Sequence, residues 1–322
     1  MPSETWPIPT FADVLAARRR IAPHLRPTPL HAYPQLGEPL GAEVRVKHEN
    51  HQPTGAFKIR GGLNLVSQLS DDERARGLIA ASTGNHGQSV AFAARGFGVS
   101  ARICVPEHAN PVKVAAMRQL GAELIEEGAG FDDARDNAER LADEAGYRYV
   151  HSGNEPHLIA GVGTETLEIF EDFPEVEVVI VPVGGGSGAA GACIVAKAVN
   201  PAAEVIAVQS EASPAAYRSW KAARSVEAPD RTYAEGLSTG TPFELPQAIL
   251  HDHLDDFVLV SDDQIRAAQR TMIEATRNLV EAAGASPLAA ALALGDRLRG
   301  RRVALVASGG NVTREQLLEI LA

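Results

Sequence analysis

Short apolar runs alternate with longer amphipathic segments along almost the whole chain. The apolar runs are rich in Val, Ile and Leu and predict strands at 43–49, 77–82, 100–106, 123–127, 176–183, 204–208, 256–260 and 302–308. The segments between them have helical periodicity, with clear examples at 85–95, 112–120, 131–145, 262–278 and 287–298. Because parallel strands need crossover connections, this alternation predicts an α/β fold, a mostly parallel sheet with helices on both faces.

The composition narrows the class of protein. Of 322 residues, 45% are hydrophobic and 22% are charged, which is typical of a globular chain. The net charge of −11 argues against nucleic acid or an anionic membrane as a partner, because both require a basic surface. Cys104 and Cys193 lie far apart in apolar runs and are expected to be reduced. Residues 1–9 lack the pattern of an export signal, and no apolar run approaches the roughly 20 residues of a spanning helix. We therefore expect a soluble, cytoplasmic protein.

Three glycine-containing segments, 81–88, 182–188 and 307–311, follow or lie beside predicted strands. In an open parallel sheet, ligands bind outside the carboxyl ends of the strands, so these loops are expected to converge on one site. One such loop alone is equally well explained as a tight strand-to-helix turn. Three together favour a ligand site.

The loop at 184–188 contains four glycines in five residues and stands between a predicted strand and a predicted helix. Backbone amides in such a loop approach a phosphate closely, and the helix N-terminus adds favourable positive potential. The sequence therefore predicts an anion, in particular a phosphate, at this loop.

A dinucleotide is one alternative, because residues 186–191 match G-x-G-x-x-G and Glu211 follows at the distance expected for a ribose-binding acid. This interpretation would make the protein an NAD-linked oxidoreductase. It leaves the segment around Lys58 without a role. That segment turns through residues 53–55 and enters a helix at about Phe57.

A lysine near a helix N-terminus loses its proton more readily, because the local potential is positive. Such a neutral amine is what a Schiff-base lysine needs to attack a carbonyl. The simpler interpretation of Lys58 alone is a solvated lysine on a first helical turn. The motifs elsewhere in the chain decide between a Schiff-base lysine and a solvated lysine.

Four motifs occur in order: PTGAFKIRG at 53–61, STGNHG at 82–87, GGGSG at 184–188 and SGGN at 308–311. Together they resemble the tryptophan-synthase-β superfamily, or fold type II, of pyridoxal-phosphate enzymes, and within it the branch of threonine and serine dehydratases and serine racemases. The resemblance runs from about residue 22 to the C-terminus. It implies two open, mostly parallel sheets flanked by helices, with a small domain at about 51–150 and a large domain from 1–50 and 151–322. It also implies a homodimer.

The resemblance assigns roles to individual residues. It implies that Lys58 carries the cofactor as a Schiff base and moves the α-proton, that Phe57 packs beside the cofactor, and that Asn85 binds the phenolic oxygen of its ring. The phosphate is expected on the backbone amides of Gly184, Gly185, Gly186, Ser187 and Gly188. The substrate carboxylate is expected at the turn formed by Ser82, Thr83, Gly84, Asn85 and His86. His86 is expected to be a packed or capping residue, with a general base as the alternative.

Ser308 is implied to face the pyridine nitrogen. A neutral hydroxyl does not force that nitrogen to stay protonated, as an aspartate would, and the ring is then a weaker electron sink. Ser308 therefore favours loss of a β-leaving group over transamination. Its alternative role is a turn hydroxyl that caps residues 309–310.

Thr83 stands where racemases of the branch carry a serine that supplies a proton on the face opposite the lysine, whereas many dehydratases carry alanine. Thr83 keeps the hydroxyl, but β-branching restricts its rotamers. Dehydration is the first expectation, and racemisation is the alternative.

The chain departs from the branch at its cation site and near Glu281. Gln209 and Ala215 stand where racemase-like relatives supply acids, and a hard cation needs several oxygen ligands, so we expect no metal. The segment EAAGA at 281–285 replaces the usual Glu-Pro-Ala-Gly, although Glu281 can still face the cofactor.

The sequence thus predicts a lyase that dehydrates and deaminates a small β-hydroxy amino acid, with L-threonine or L-serine first. The alternatives within the class are serine racemisation and dehydration of 3-hydroxyaspartate or a hydroxyectoine-derived amino acid. Because residues 302–322 complete the last strand–helix pair, we expect no appended effector-binding module, as in catabolic enzymes of this type.

Overall fold

Two separate sheets form the framework of the protein. The computed structural model describes residues 6–321. In chain order the strands are β1 (Leu30–Ala32), β2 (Glu43–His48), β3 (Leu78–Ala81), β4 (Ala101–Val105), β5 (Glu123–Glu126), β6 (Arg148–Tyr149), β7 (Val178–Pro182), β8 (Glu204–Ser210), β9 (Asp256–Val260) and β10 (Arg302–Ala307).

The larger sheet has the order β1-β2-β10-β7-β8-β9. All its pairs are parallel except β1 with β2, which run antiparallel at one edge. Both faces of this sheet are buried. Val179 and Val181 of β7 pack into the core on one face, and Val178 and Ile180 pack into the core on the other. This explains why the strand has an uninterrupted apolar run rather than an alternating one.

The smaller sheet has the order β5-β4-β3-β6 and is parallel throughout. It has the same two-faced construction. Ala80 and Ile103 lie in the core on one face, whereas Ile79 and Cys104 lie in the core on the other.

The sheets are covered by helices. These are α1 (Phe11–Ile21), α2 (Pro34–Gly37), α3 (Lys58–Val66), α4 (Asp71–Arg76), α5 (Asn85–Gly96), α6 (Pro111–Gln119), α7 (Phe131–Ala145), α8 (Pro156–Val162), α9 (Thr164–Asp172), α10 (Ser187–Val199), α11 (Ala215–Ala222), α12 (Glu244–His253), α13 (Asp262–Thr276), α14 (Ala282–Leu294) and α15 (Arg314–Leu321). Short 3₁₀ turns occupy Glu38–Leu40, Glu49–His51, Glu235–Leu237 and Gly295–Leu298.

Glycines allow α3 and α8 to pack with their backbones in contact. A Cβ on Gly161 would lie 2.6 Å from the carbonyl oxygen of Arg60, and a Cβ on Gly61 would lie 3.0 Å from that of Leu158. Helix α3, which begins with Lys58, is therefore fixed between α8 and α5. Its first carbonyl, that of Lys58, accepts a hydrogen bond of 2.6 Å from the hydroxyl of Ser89 on α5.

The α/β prediction is confirmed, and the main strands lie where the apolar runs predicted them, within two residues at either end. The predicted helix start at 287 is wrong. Helix α14 begins at Ala282 and contains Pro287 in its interior. The carbonyl of Ala283, which residue 287 would normally bond, instead accepts a hydrogen bond of 2.8 Å from the hydroxyl of Ser286. The proline is thus accommodated without an orphaned acceptor.

Cys104 and Cys193 are both free and buried. Within residues 6–321, no helix is long and apolar enough to cross a membrane. The expectation about an export signal at residues 1–9 concerns, in part, residues outside the described range.

Candidate functional site

The segment before α3 is joined to the loop after β10. The amide of Phe57 donates a hydrogen bond of 2.9 Å to the carbonyl of Ser308, and Ala56 forms an isolated antiparallel bridge with Gly309. The side chain of Asn311 donates to the carbonyl of Thr54 at 2.9 Å. Since β2 and β10 are adjacent and parallel, these contacts lie at their shared carboxyl edge. The first and last of the four motifs are therefore one structural unit.

Lys58 connects this unit to the glycine-rich loop. Its Nζ atom donates hydrogen bonds to the hydroxyl of Ser187, at 2.8 Å, and to the carbonyl of Ser152, at 3.0 Å. Desolvation lowers the pKa of the Lys58 amine to about 8, and the Glu165 carboxyl opposes that shift. A substantial fraction of the amine is therefore neutral near pH 7 to 8. The structure thus brings a nucleophilic amine to the N-terminus of α10.

The loop before α10 leaves no space for side chains. A Cβ on Gly184 would lie 2.4 Å from the carbonyl oxygen of Gly236, and a Cβ on Gly185 would lie 2.2 Å from the Phe243 ring. Gly186 has a φ of +89°, which favours glycine. The backbone of this loop is thus bare at the N-terminus of a thirteen-residue helix, where amides and the helix dipole favour an anion. This cradle fits a phosphate group, as the sequence predicts.

Phe57 also packs on this loop. A Cβ on Gly188 would lie 3.2 Å from the Phe57 ring, and the Lys58 Nζ atom lies 5.3 Å from the centre of the same ring. Phe57 thus forms one wall beside the amine.

Asn85 begins α5 and points across to the loops of the larger sheet. Its Nδ2 donates to Oε1 of Glu281 at 2.8 Å, and its Oδ1 accepts from Nδ2 of Asn311 at 2.7 Å. One N–H of the Asn85 amide remains for a ligand. Its predicted contact with the cofactor ring stays a prediction. Desolvation raises the pKa of Glu281 to about 7, although Lys113 and Asn85 act in the opposite direction.

The turn after β3 is held by Ser82. Its hydroxyl accepts hydrogen bonds from the amides of Gly84, at 3.1 Å, and Gly87, at 2.9 Å. Thr83 is half-buried, and its hydroxyl has no hydrogen-bond partner in the described part of the chain. The amides at the start of α5 and the Thr83 hydroxyl are thus the groups that this turn can offer to a substrate.

His86 is buried beneath that turn. Its Nε2 lies 3.0 Å from the carbonyl of Val150, and it donates to this acceptor when the ring is neutral. Burial lowers the pKa of His86 to about 3, with a smaller contribution from the charge of Lys58. This geometry favours the packed role over a general base. Ser308 is also buried, and its hydroxyl makes no hydrogen bond within residues 6–321, so it is available to a ligand.

A buried ionic network lies behind Lys58. Arg60 donates to both oxygens of Glu49, at 2.7 Å each, and to Glu168 at 2.7 and 2.8 Å. Lys47 donates to Glu168 at 2.6 Å. The four side chains are at most 2% exposed. The sequence gives no sign of this network, because charged side chains are usually solvated and Glu168 lies far along the chain from Lys47 and Arg60.

Two further residues of the site were not anticipated in these positions. The sequence predicts no separate role for Asn311, the last residue of the SGGN motif, yet its amide donates to both Thr54 and Asn85. Phe243 fills the space against Gly185 and Gly153, and its ring is T-shaped to His151 at 4.7 Å. No signal in the sequence placed an aromatic ring from the 241–245 region on the glycine-rich loop.

The end of β8 and the segment that follows it, where a cation site was considered, form structural contacts. The side-chain oxygen of Gln209 accepts from the amide of Tyr217 at 3.1 Å, and Ala215 begins α11. No cluster of three or more His, Cys, Asp or Glu residues able to hold a metal ion occurs among residues 6–321.

The profile of a protein family described as "Pyridoxal-phosphate dependent enzyme" matches residues 21–309. The L-threonine ammonia-lyase of Thermotoga maritima is 41% identical over 304 residues, which covers 94% of this chain and 76% of that protein. The L-threo-3-hydroxyaspartate ammonia-lyase of Saccharomyces cerevisiae is 34% identical over 316 residues, which covers 98% and 97%. The crystal structure of serine racemase from Dictyostelium discoideum superposes with a TM-score of 0.89 at 32% identity and covers 95% of this chain and 99% of that one. None of these similarities supports the dinucleotide alternative.

Proposed function

Because this chain belongs to the pyridoxal-phosphate dependent enzyme family, we propose that it is an ammonia-lyase for a small β-hydroxy amino acid, L-threonine or L-serine first. The observation that carries the proposal is the hydrogen bond of 2.8 Å from Lys58 Nζ to Ser187, at the head of the glycine-rich loop. The named ammonia-lyase relatives support the reaction class. L-Threonine would give 2-oxobutyrate and ammonia, and L-serine would give pyruvate and ammonia.

The residues present fit pyridoxal phosphate. The bare amides of 184–188 would hold its phosphate, Lys58 would hold its carbonyl carbon, and the walls would come from Phe57 and the loop that carries Ser308. When bound, the cofactor supplies an electron-withdrawing ring that makes the α-hydrogen of an attached amino acid acidic.

Lys58 accepts and returns the α-proton in this proposal. Its lowered pKa keeps part of the amine neutral at physiological pH, and only the neutral amine can act as a base. The Ser187 hydroxyl and the Ser152 carbonyl fix the direction of the amine. The amides at the start of α5 bind the substrate carboxylate, with Ser82 holding the turn in shape. Loss of the β-hydroxyl as water, followed by hydrolysis, releases the 2-oxo acid and ammonia.

Serine racemisation is the second candidate function. It is favoured by Thr83, whose hydroxyl is free to donate a proton at the turn facing the site, and by the similarity to a racemase structure. Dehydration of 3-hydroxyaspartate is a third possibility, supported by the yeast relative.

We also propose two domains, at about 51–150 and at 1–50 with 151–322. The division of the strands between two sheets supports this boundary. A homodimer is proposed from the family resemblance. A cytoplasmic location is proposed because both cysteines are free and buried, as in a reducing compartment.

An absorption spectrum of the purified protein, before and after L-threonine, tests the proposal. We expect a yellow band in the wild type, which borohydride reduction fixes on Lys58, and formation of 2-oxobutyrate. The Lys58→Ala variant should form no product. A protein that stays colourless with added pyridoxal phosphate would contradict the proposal.

A further inference from the structure

Glu165 is a carboxyl group with no partner in the interior. It lies on α9 and is 1% exposed, and neither of its oxygens has a hydrogen-bond partner in the part of the chain that is described. Its Oε1 would lie 3.7 Å from a Cβ on Gly188. The carboxyl therefore lies directly beside the glycine-rich loop, one residue from the Ser187 hydroxyl that holds Lys58.

The buried cations next to Glu165 are already neutralised without its carboxylate. Behind it, the two fully buried cations, Lys47 and Arg60, are matched by the two carboxylates of Glu49 and Glu168. Glu165 is thus a third acid beside a buried cluster in which two positive and two negative charges already cancel.

Arg18 does not change this balance, because it is partly exposed and already paired. It contacts Glu168 at 2.5 Å and Glu171 at 3.0 Å, and the latter pair lies at the surface. An unmatched buried carboxylate is costly, so Glu165 needs either a proton or a further cation.

Lys58 is the cation that meets this need. The Lys58 amine donates to the Ser187 hydroxyl, and the Glu165 carboxyl lies beside the next residue, Gly188. Both groups therefore border the same turn of the chain. We propose that Glu165 is a positioning residue that supplies the counter-charge to the ammonium form of Lys58.

The proposal rests on the proposed role of Lys58 as the base. When Lys58 is neutral, Glu165 stays protonated, so the buried cluster carries no surplus charge. When the proton lies instead on Lys58, an ionised Glu165 stabilises the ammonium, so the pair carries no net charge in either state. The two groups therefore titrate as one coupled pair. Burial lowers the pKa of Lys58, and the Glu165 carboxyl opposes that shift. Burial also raises the pKa of Glu165, together with Glu49 and Glu168, although Arg60 and Lys47 act in the opposite direction.

The test measures the pKa of Lys58 in the full chain stripped of cofactor. Lysines are methylated with ¹³C-formaldehyde, and their methyl carbons are followed by NMR as a function of pH. The chain has five lysines, Lys47, Lys58, Lys113, Lys197 and Lys221, and Lys58→Met assigns the signal. We expect Glu165→Gln, which keeps the shape but cannot ionise, to lower the pKa of Lys58 by about one unit or more. An unchanged pKa in the folded variant would overturn the proposal.

Glu171→Gln is the matched control. It lies on the same helix, but its side chain is 48% exposed, so the Lys58 signal should not move. If Glu165→Gln does not fold, Glu165→Leu replaces the buried acid with an apolar side chain and should lower the pKa in the same way.

The reciprocal measurement does not require Glu165→Gln or Glu165→Leu to fold. Lys58→Met removes the counter-ion, so the infrared band of the protonated Glu165 carboxyl should persist to higher pH than in the wild type. A band with the same pH dependence in both proteins would overturn the proposal. Neither readout requires cofactor or turnover, so absence of 2-oxobutyrate formation would refute the proposed function without affecting this result.

Discussion

The amide of Asn85 donates a hydrogen bond of 2.8 Å to the carboxyl of Glu281. It joins the first residue of α5, beside the smaller sheet, to the residue that precedes α14, beside the larger one. The acceptor is a group whose pKa burial raises to about 7, so the link joins a titrating carboxyl to the candidate cofactor site.

Glu281→Gln should remove a pH dependence of stability. The folded carboxyl keeps its proton until about pH 7, whereas the unfolded one ionises near 4.5. The unfolded state therefore binds fewer protons between these values, and the wild type loses stability as the pH rises through this window. We expect the wild type to lose about 1 to 3 kcal/mol relative to Glu281→Gln. Urea unfolding of the cofactor-free proteins between pH 4 and 8 measures this.

Glu274→Gln, an exposed position on α13, should follow the wild-type pH dependence in the same experiment. Parallel stability curves for the wild type and Glu281→Gln would show that Glu281 ionises normally in the fold.

Gly185→Ala should weaken cofactor binding. The new Cβ would stand 2.2 Å from the Phe243 ring, so the ring or the loop must move. Overpacking of this kind costs about 1 to 3 kcal/mol, which corresponds to a rise of roughly 5-fold to 150-fold in the dissociation constant of pyridoxal phosphate. Fluorescence titration of the stripped protein gives this constant.

Two companion variants test the cause of the Gly185→Ala effect. Adding Phe243→Leu should restore part of the affinity, because the smaller side chain leaves space for the methyl group. Gly96→Ala, where a Cβ meets no atom within 4 Å, should bind as the wild type does. Equal affinity of Gly185→Ala and Gly96→Ala would mean that the loop tolerates a side chain.

Ser308→Asp should divert the reaction from elimination. A carboxylate in this place would keep the ring nitrogen protonated and strengthen the electron sink. The ratio of α-hydrogen exchange in D₂O to 2-oxo acid formation, measured by proton NMR, should rise about tenfold or more. Ser308→Ala adds no charge and should leave the ratio near that of the wild type, even if the cofactor binds more weakly. A ratio that rises equally in both variants would argue against the charge mechanism.

Thr83 should control racemisation of serine. Removing a positioned proton donor typically costs about 10² to 10⁴ in rate, so Thr83→Val, which keeps the shape but loses the hydroxyl, should reduce D-serine formation by about 10². Thr83→Ser, with a less restricted rotamer, should increase it. Chiral chromatography of L-serine reactions measures both. D-serine formation that is the same in all three proteins would exclude Thr83 as the donor.

The fold follows largely from the apolar pattern, and the exceptions have local causes. Strand β8 extends two residues beyond its apolar run because Gln209 and Ser210 pair with Leu259 and Val260 of β9, and polar residues gave no strand signal. Strand β6 has only two residues, which is too short to produce a period. The pattern predicts a helix start at Pro287, because the compensating hydroxyl of Ser286 is visible only in three dimensions.

The site was predictable where its chemistry is carried by short motifs. Lys58 and the loop at 184–188 belong to two of the four motifs, and the Lys58 amine lies 2.8 Å from the Ser187 hydroxyl. The positions of Glu165 and Phe243 depend on the packing of α9 and of the segment before α12 against that loop. Such contacts join residues far apart in the chain, so no local pattern encodes them.

Strand β10 follows the nine other strands of residues 6–321 along the chain, yet it lies inside its sheet, between β2 and β7. Until it inserts, β2 and β7 have no common neighbour, and the 54–57 segment lacks the Ser308 loop that supports it. A nascent chain can therefore complete the smaller sheet early but should not capture the cofactor before β10 is in place. Cofactor binding should therefore report on the insertion of β10, because a chain without residues 302–307 lacks the strand that joins β2 to β7.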